Sequence, residues 1–262
     1  MTEREIEQAY RARFENRRRG GKDLGDLYTV AVEALDAHEA WLVAVARPER
    51  TVDGAKRLTA EDAMEWAEAA ESRYRARGFF VMNSVLHNQL AEVVGEVRPR
   101  PGLRSQIFTV ENGNGIGVRV STHDSGAVTL AIQLGSQCIA KTSDGTVWTD
   151  PEDVFASQLE AAAATLAALV EAQAAERGWP PTALGLGVGI EWDGPQPLQI
   201  FDSRPRDKPR DGAGSELSRY RPISASWLLD AEGRLAREHV IDLALDLLNQ
   251  AGIRGVTYLL DK

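Results

Sequence analysis

RSQIFTVENGNGIGVRVSTHDSGAVTLAIQLGSQCIAKTSDGTVW, residues Arg104 to Trp148, is the stretch that decides the fold. Side chains alternate between the two faces of a strand with period two. That period puts Ile116, Val118 and Val120 on one face, and Gly117, Arg119, Ser121 and His123 on the other. The next segment repeats it, with Val128, Leu130, Ile132 and Leu134 opposed to Ala127, Thr129, Ala131 and Gln133. Between the segments stand Asn112-Gly113-Asn114-Gly115, Asp124-Ser125-Gly126 and Gly135-Ser136. Such residues tolerate positive φ or bond their own backbone, so they reverse a chain within a few positions. The reading is an antiparallel meander of strands Arg104–Glu111, Ile116–His123, Ala127–Leu134 and Gln137–Trp148. One face of it is apolar and the other is wet or a contact surface.

Downstream, Asp150 before Pro151 is expected to cap a long helix, because proline lacks the N–H that would go unpaired there. Phe155, Leu159, Ala162, Leu166 and Leu169 mark its buried stripe, and Gly178 stops it. Leu184–Trp192 and Pro197–Ser203 read as strands, Arg234–Gln250 as a helix and Gly255–Leu260 as a last strand. Upstream come a charged helix over Glu3–Arg19, an amphipathic helix over Lys22–Ala37 and a short buried strand, Trp41–Val45. Thr59 and Asp62 form a helix-start box, and Phe79–Val97 carries a further helical stretch. Arg98-Pro99-Arg100-Pro101-Gly102 then breaks the pattern and marks a joint. The expected class is α+β, with a largely antiparallel central sheet packed with helices. The sheet comprises the meander 104–148 and strands near 184–192, 197–203 and 255–260. Residues 1–97 read as a mostly helical region with one short strand, and 98–262 as the meander-helix-strands-helix domain.

At 262 residues and 43% hydrophobic, the chain can bury a full core. A net charge of -9 disfavours broad attachment to nucleic acid or an anionic membrane. Cys138 is the one cysteine, which excludes an internal disulfide and a cysteine-based metal cluster and suits a reducing cytoplasm. Met1 to Gly20 is too charged for a secretory signal, and Leu159–Ala175 is too interrupted by Glu160 and Glu171 for a membrane span. Among the 30 basic residues only Lys22, Lys56, Lys141, Lys208 and Lys262 are lysines, a bias of GC-rich bacterial coding.

No phosphate-cradling loop, nucleophile elbow or zinc-binding histidine pair occurs in the sequence, and no cofactor or catalytic residue is assigned. His38, His87, His123 and His239 are scattered. The least ordinary feature is Leu184-Gly185-Leu186-Gly187-Val188-Gly189-Ile190, which places three glycines on one strand face. Bare backbone there leaves space for a ligand or partner, or for a helix packed unusually close. The first expectation is a binding, adaptor or regulatory protein without catalysis, engaging another macromolecule, foremost a protein partner, through the polar sheet face and a mobile loop at 202–214. Arg119, Ser121, Thr129 and Gln133 line that face. The alternative is an enzyme or sensor for a small anionic ligand, held near Gly185, Gly187 and Gly189 by Asp202, Arg204 and Arg206. A nucleic-acid role through Arg17-Arg18-Arg19 ranks third, and self-association is left open.

The element order helix, meander, long helix, two strands, helix across Phe79–Gln250 resembles type III secretion chaperones and YbjN-like proteins, which implies a protein-binding role. Gly25-Asp26-Leu27 through Trp41-Leu42-Val43-Ala44-Val45 is faintly similar to AlbA-like domains, which implies a nucleic-acid-binding regulator.

Overall fold

The alternating pattern closes into a larger sheet than the meander alone. The computed structural model describes residues 24–35, 39–50, 57–76, 93–95, 97–111, 117–135, 138–142, 145–148, 150–201, 213–217, 220–256 and 259. In chain order the strands are β1 (Ala40–Pro48), β2 (Arg100–Gly102), β3 (Ser105–Glu111), β4 (Gly117–His123), β5 (Val128–Leu134) and β6 (Cys138–Thr142). There follow β7 (Gly145–Trp148), β8 (Asp153–Phe155), β9 (Ala183–Glu191), β10 (Leu198–Phe201), β11 (Ala213–Leu217) and β12 (Ile223–Leu228). Among the described residues the helices include α1 (24–33), α2 (Ala60–Ala76), α3 (Ala156–Glu176) and α4 (Arg237–Asn249), and residues 93–95 are also helical.

Seven strands form an antiparallel sheet in the order β12-β9-β1-β5-β4-β3-β2. Strand β1 lies in its interior, with Trp41 opposite Gln133 of β5 on one side and Glu191 of β9 on the other. Residues 40–48, the short strand expected within the mostly helical region 1–97, share one sheet with the strands after residue 98. The reason is that both faces of β1 are apolar: Ala40, Leu42 and Ala44 face the helices, while Val43 and Val45 are buried on the other side. On the helix face, Phe108, Val120, Leu130, Ile132, Leu186 and Val188 continue the core.

Helix α3 runs through the middle of the helical layer and is buried around its whole circumference, not along one stripe. Its many alanines allow this, since they let α2, α4 and the sheet approach from three directions. The Trp66 indole of α2 donates to the Leu169 carbonyl of α3 at 3.0 Å and lies 6.3 Å from the Phe108 ring. The buried polar side chains of α3 hold other elements. Gln173 accepts from the Thr122 hydroxyl at 2.8 Å, Glu171 from the Leu235 N–H at 2.6 Å, and Glu160 from the Leu259 N–H at 3.1 Å.

Several expectations need correction. The strand read over Gln137–Trp148 is two strands, β6 and β7, forming a separate two-stranded sheet. Asp150-Pro151 does not start α3. Asp153-Val154-Phe155 first pairs in parallel with Gln199-Ile200-Phe201, and the Gln158 side chain then accepts the Phe155 N–H at 2.9 Å to cap the helix. Over 255–260, Gly255 and Val256 are not in a strand, and the backbone of Leu259 is held by side chains, its N–H by Glu160 and its carbonyl by Arg237. Thr59 and Asp62 do form the expected reciprocal box at the start of α2, with N–H to side-chain distances of 2.8 and 3.1 Å. The helices read over Glu3–Arg19 and most of Phe79–Val97 lie outside the described residues.

Candidate functional site

The sheet face turned away from α2, α3 and α4 gathers most of the candidate residues. Cross-strand register sets out one row of neighbours as Ser224, Gly187, Val45, Thr129, Ser121, Ile107 and Arg100. The next row is Gly189, Val43, Ala131, Arg119 and Thr109, and a third begins with Glu191, Trp41 and Gln133. The glycine strip and the polar positions of the meander, which are far apart in sequence, therefore belong to one surface. Asp202, Arg204 and Arg206 lie outside the described residues.

Half of this surface is covered. Helix α1 lies on the glycine strip so closely that a methyl group at Gly187 would sit 3.5 Å from Leu24, and one at Gly189 only 2.3 Å from the Tyr28 hydroxyl. That hydroxyl donates to the Glu191 carboxylate at 2.7 Å. Burial, followed by the hydrogen bond to Glu191 and its charge, pushes the Tyr28 pKa well up, so the phenol keeps its proton. Gly185 has open space beside it.

Toward the centre, Ser121, Thr129 and Gln133 are 5%, 7% and 8% exposed, so they form a floor and not an outer surface. Gln133 uses its side-chain oxygen to accept the Gly117 N–H at 2.8 Å. Trp41 fills the space that a side chain at Gly117 would need.

The β2–β4 end is only partly buried. Ile107, Thr109 and Arg119 are half-buried, while Arg98, Arg100 and Arg104 are exposed. Register places Arg100 beside Ile107, and Arg98 lies two residues before β2 begins. Arg104 turns the hairpin with φ 55, and the preceding Leu103 is 94% exposed. None of these four arginines joins an ion pair among the described residues. No acidic residue occurs between Val97 and Val110, or within β4; the nearest in sequence and register are Glu111, which ends β3 opposite Gly117, and Asp124, whose N–H donates to the Arg104 carbonyl. A chain of net charge -9 thus carries a local concentration of arginine here. In sequence, Arg98 and Arg100 read only as part of a proline-bounded joint. Their arginine-proline alternation, free of acids, was the available signal.

At the β4–β5 turn the contacts are structural. Arg177, ending α3, donates to the carbonyls of Asp124 at 2.9 Å and His123 at 2.7 Å. Burial lowers the Arg177 pKa, an effect opposed by Asp124 and Asp62. The Asp124 carboxylate accepts the Leu58 N–H at 3.1 Å. His123 keeps a buried Nε2 with no hydrogen-bond partner, and burial pushes its pKa down to about 4 against the pull of Asp124. Because the folded chain favours neutral imidazole, the unfolded chain binds more protons between about pH 6.5 and 4. Stability therefore falls as pH drops through that window, by about 2–3 kcal/mol from this group. His123→Gln is expected to remove that share of the difference in urea midpoint between pH 7 and pH 4.5. An unchanged difference would place the pH sensitivity elsewhere.

Among the described residues, no group of three or more His, Cys, Asp or Glu could hold a metal ion, and no helix is long and apolar enough to cross a membrane. No family model, curated protein or solved structure matches this chain.

Proposed function

We propose that this chain is a binding or regulatory protein that engages another protein through the outer face of its seven-stranded sheet. The supporting observation is that Arg119, Ser121, Thr129 and Gln133 share this face with the glycine strip, and that α1 lies on the strip while Thr109 and Arg119 on β3 and β4 are partly exposed. A rigid floor of small side chains bordered by partly exposed polar residues suits recognition of a macromolecule, with the rim supplying specificity. The α+β class serves many activities, so the chemistry of this face, and not the class, supports the reading.

The small-ligand alternative is less favoured, because Leu24 and Tyr28 occupy the space above Gly187 and Gly189. A photo-crosslinking residue at Thr109, tested in the native host, should trap a defined protein that the same residue at exposed Glu65 on α2 does not. Equal trapping at both positions, or none at Thr109, would count against the reading.

A further inference from the structure

We infer that the arginine corner formed by β2, β3 and β4 receives an extended acidic segment of a protein partner, with an apolar side chain of that segment seated near Ile107 and Leu103. The inference rests on the protein-binding reading and adds the chemistry of the partner.

Charge complementarity is the first argument. Arg98, Arg100, Arg104 and Arg119 stand together without an ion pair among the described residues, in a chain whose overall charge is negative. Unneutralised guanidinium groups clustered on one surface favour carboxylate or phosphate, which they can bind in a bidentate manner. The dimensions agree with an extended chain. Arg100 lies in β2, Arg104 in the turn that follows it, and Arg119 in β4, two strands in from β2 and roughly 10 Å across. A short extended segment crossing β2, β3 and β4 would pass these positions.

The apolar contacts argue for a peptide and against nucleic acid. Leu103 is 94% exposed at the hairpin tip, and half-buried Ile107 lies between Arg100 and Ser121 in the register. Phe108, the one aromatic residue of β2, β3 and β4, points into the core and offers bases no stacking platform, and the half-buried Trp41 of β1 is packed against Gly117. A segment alternating carboxylate and aliphatic side chains would satisfy both the arginines and the two apolar positions. It would dock by its side chains: Pro101 leaves the edge strand without one N–H, which weakens strand addition there.

The test uses the full chain and fluorescence anisotropy with a fluorescein-labelled peptide of repeated Glu-Leu-Glu units. Saturable binding is expected. It should weaken roughly tenfold in the Arg100→Glu, Arg119→Glu double variant, and measurably in Arg104→Gly, whose backbone suits glycine. Arg254→Glu, at an exposed position elsewhere, should leave it unchanged. Equal or tighter binding of a single-stranded oligonucleotide of the same charge, or of phosphatidylserine vesicles, would overturn the peptide assignment. Equal loss with Arg254→Glu would overturn the site. If the Glu-Leu-Glu peptide fails while the crosslinker at Thr109 still traps a protein, only the acidic chemistry is wrong; if both are silent, the protein-binding reading fails with it.

Discussion

Gly135→Ala is expected to destabilise the chain by about 3–4 kcal/mol and to lower the melting temperature by roughly 10 °C. Gly135 ends β5 with φ +68, and a methyl group there would lie 1.9 Å from the Pro151 carbonyl oxygen. Two costs combine. The left-handed conformation alone disfavours alanine by about 1 kcal/mol. The clash adds more because its partner is backbone, which cannot rotate aside as a side chain can. Gly178→Ala provides the control: its φ is +59, but nothing lies within 4 Å of the added methyl. It should cost only about 1 kcal/mol. Equal costs for the two variants in urea denaturation would show that the approach of Pro151 to β5 is unimportant.

Glu171→Ala is expected to cost about 3 kcal/mol, while Glu171→Gln costs markedly less. Glu171 is 1% exposed and accepts the Leu235 N–H at 2.6 Å. Alanine leaves that buried donor without its acceptor and opens a void beside α3. Glutamine keeps an oxygen of similar reach. The damage should be local at first, because Leu235 pairs with Leu229 just before α4 begins. Faster amide exchange at Leu235 should therefore precede global unfolding. An alanine variant as stable as the parent would mean that water replaces the carboxylate.

The meander was legible because two local signals agreed. Val128, Leu130 and Ile132 keep period two and are at most 1% exposed, and Gly126 and Gly135 take the positive φ that their turns require. Helix α3 was legible in position but not in environment. Alanine suits surface and core alike, so its sequence does not show that α2 and α4 press on it from both sides. Glu160 and Glu171 looked like breaks in an apolar run, and their partners, Leu259 and Leu235, lie far away in the chain.

The interior place of β1 was hidden for the same reason. Its apolar residues announce burial, but only the fold decides that β5 and β9 flank it. Within the candidate site, alternation identified the face, yet it could not distinguish a wet hydroxyl from a buried one. Ser121 and Thr129 proved to be floor. The glycines showed that something lies close to β9, without revealing that α1 is what lies there.

Helix α1 ends at residue 33 and the strand beneath it begins at Ala40, so only residues 34–39 connect cover to sheet. A tether that short holds its cargo at an effective concentration on the order of millimolar, whatever the dilution of the protein. Any visitor to Gly187 and Gly189 competes with a resident that never leaves the vicinity. A weakly bound metabolite at micromolar levels would lose that contest, because the tether keeps Tyr28 beside Glu191.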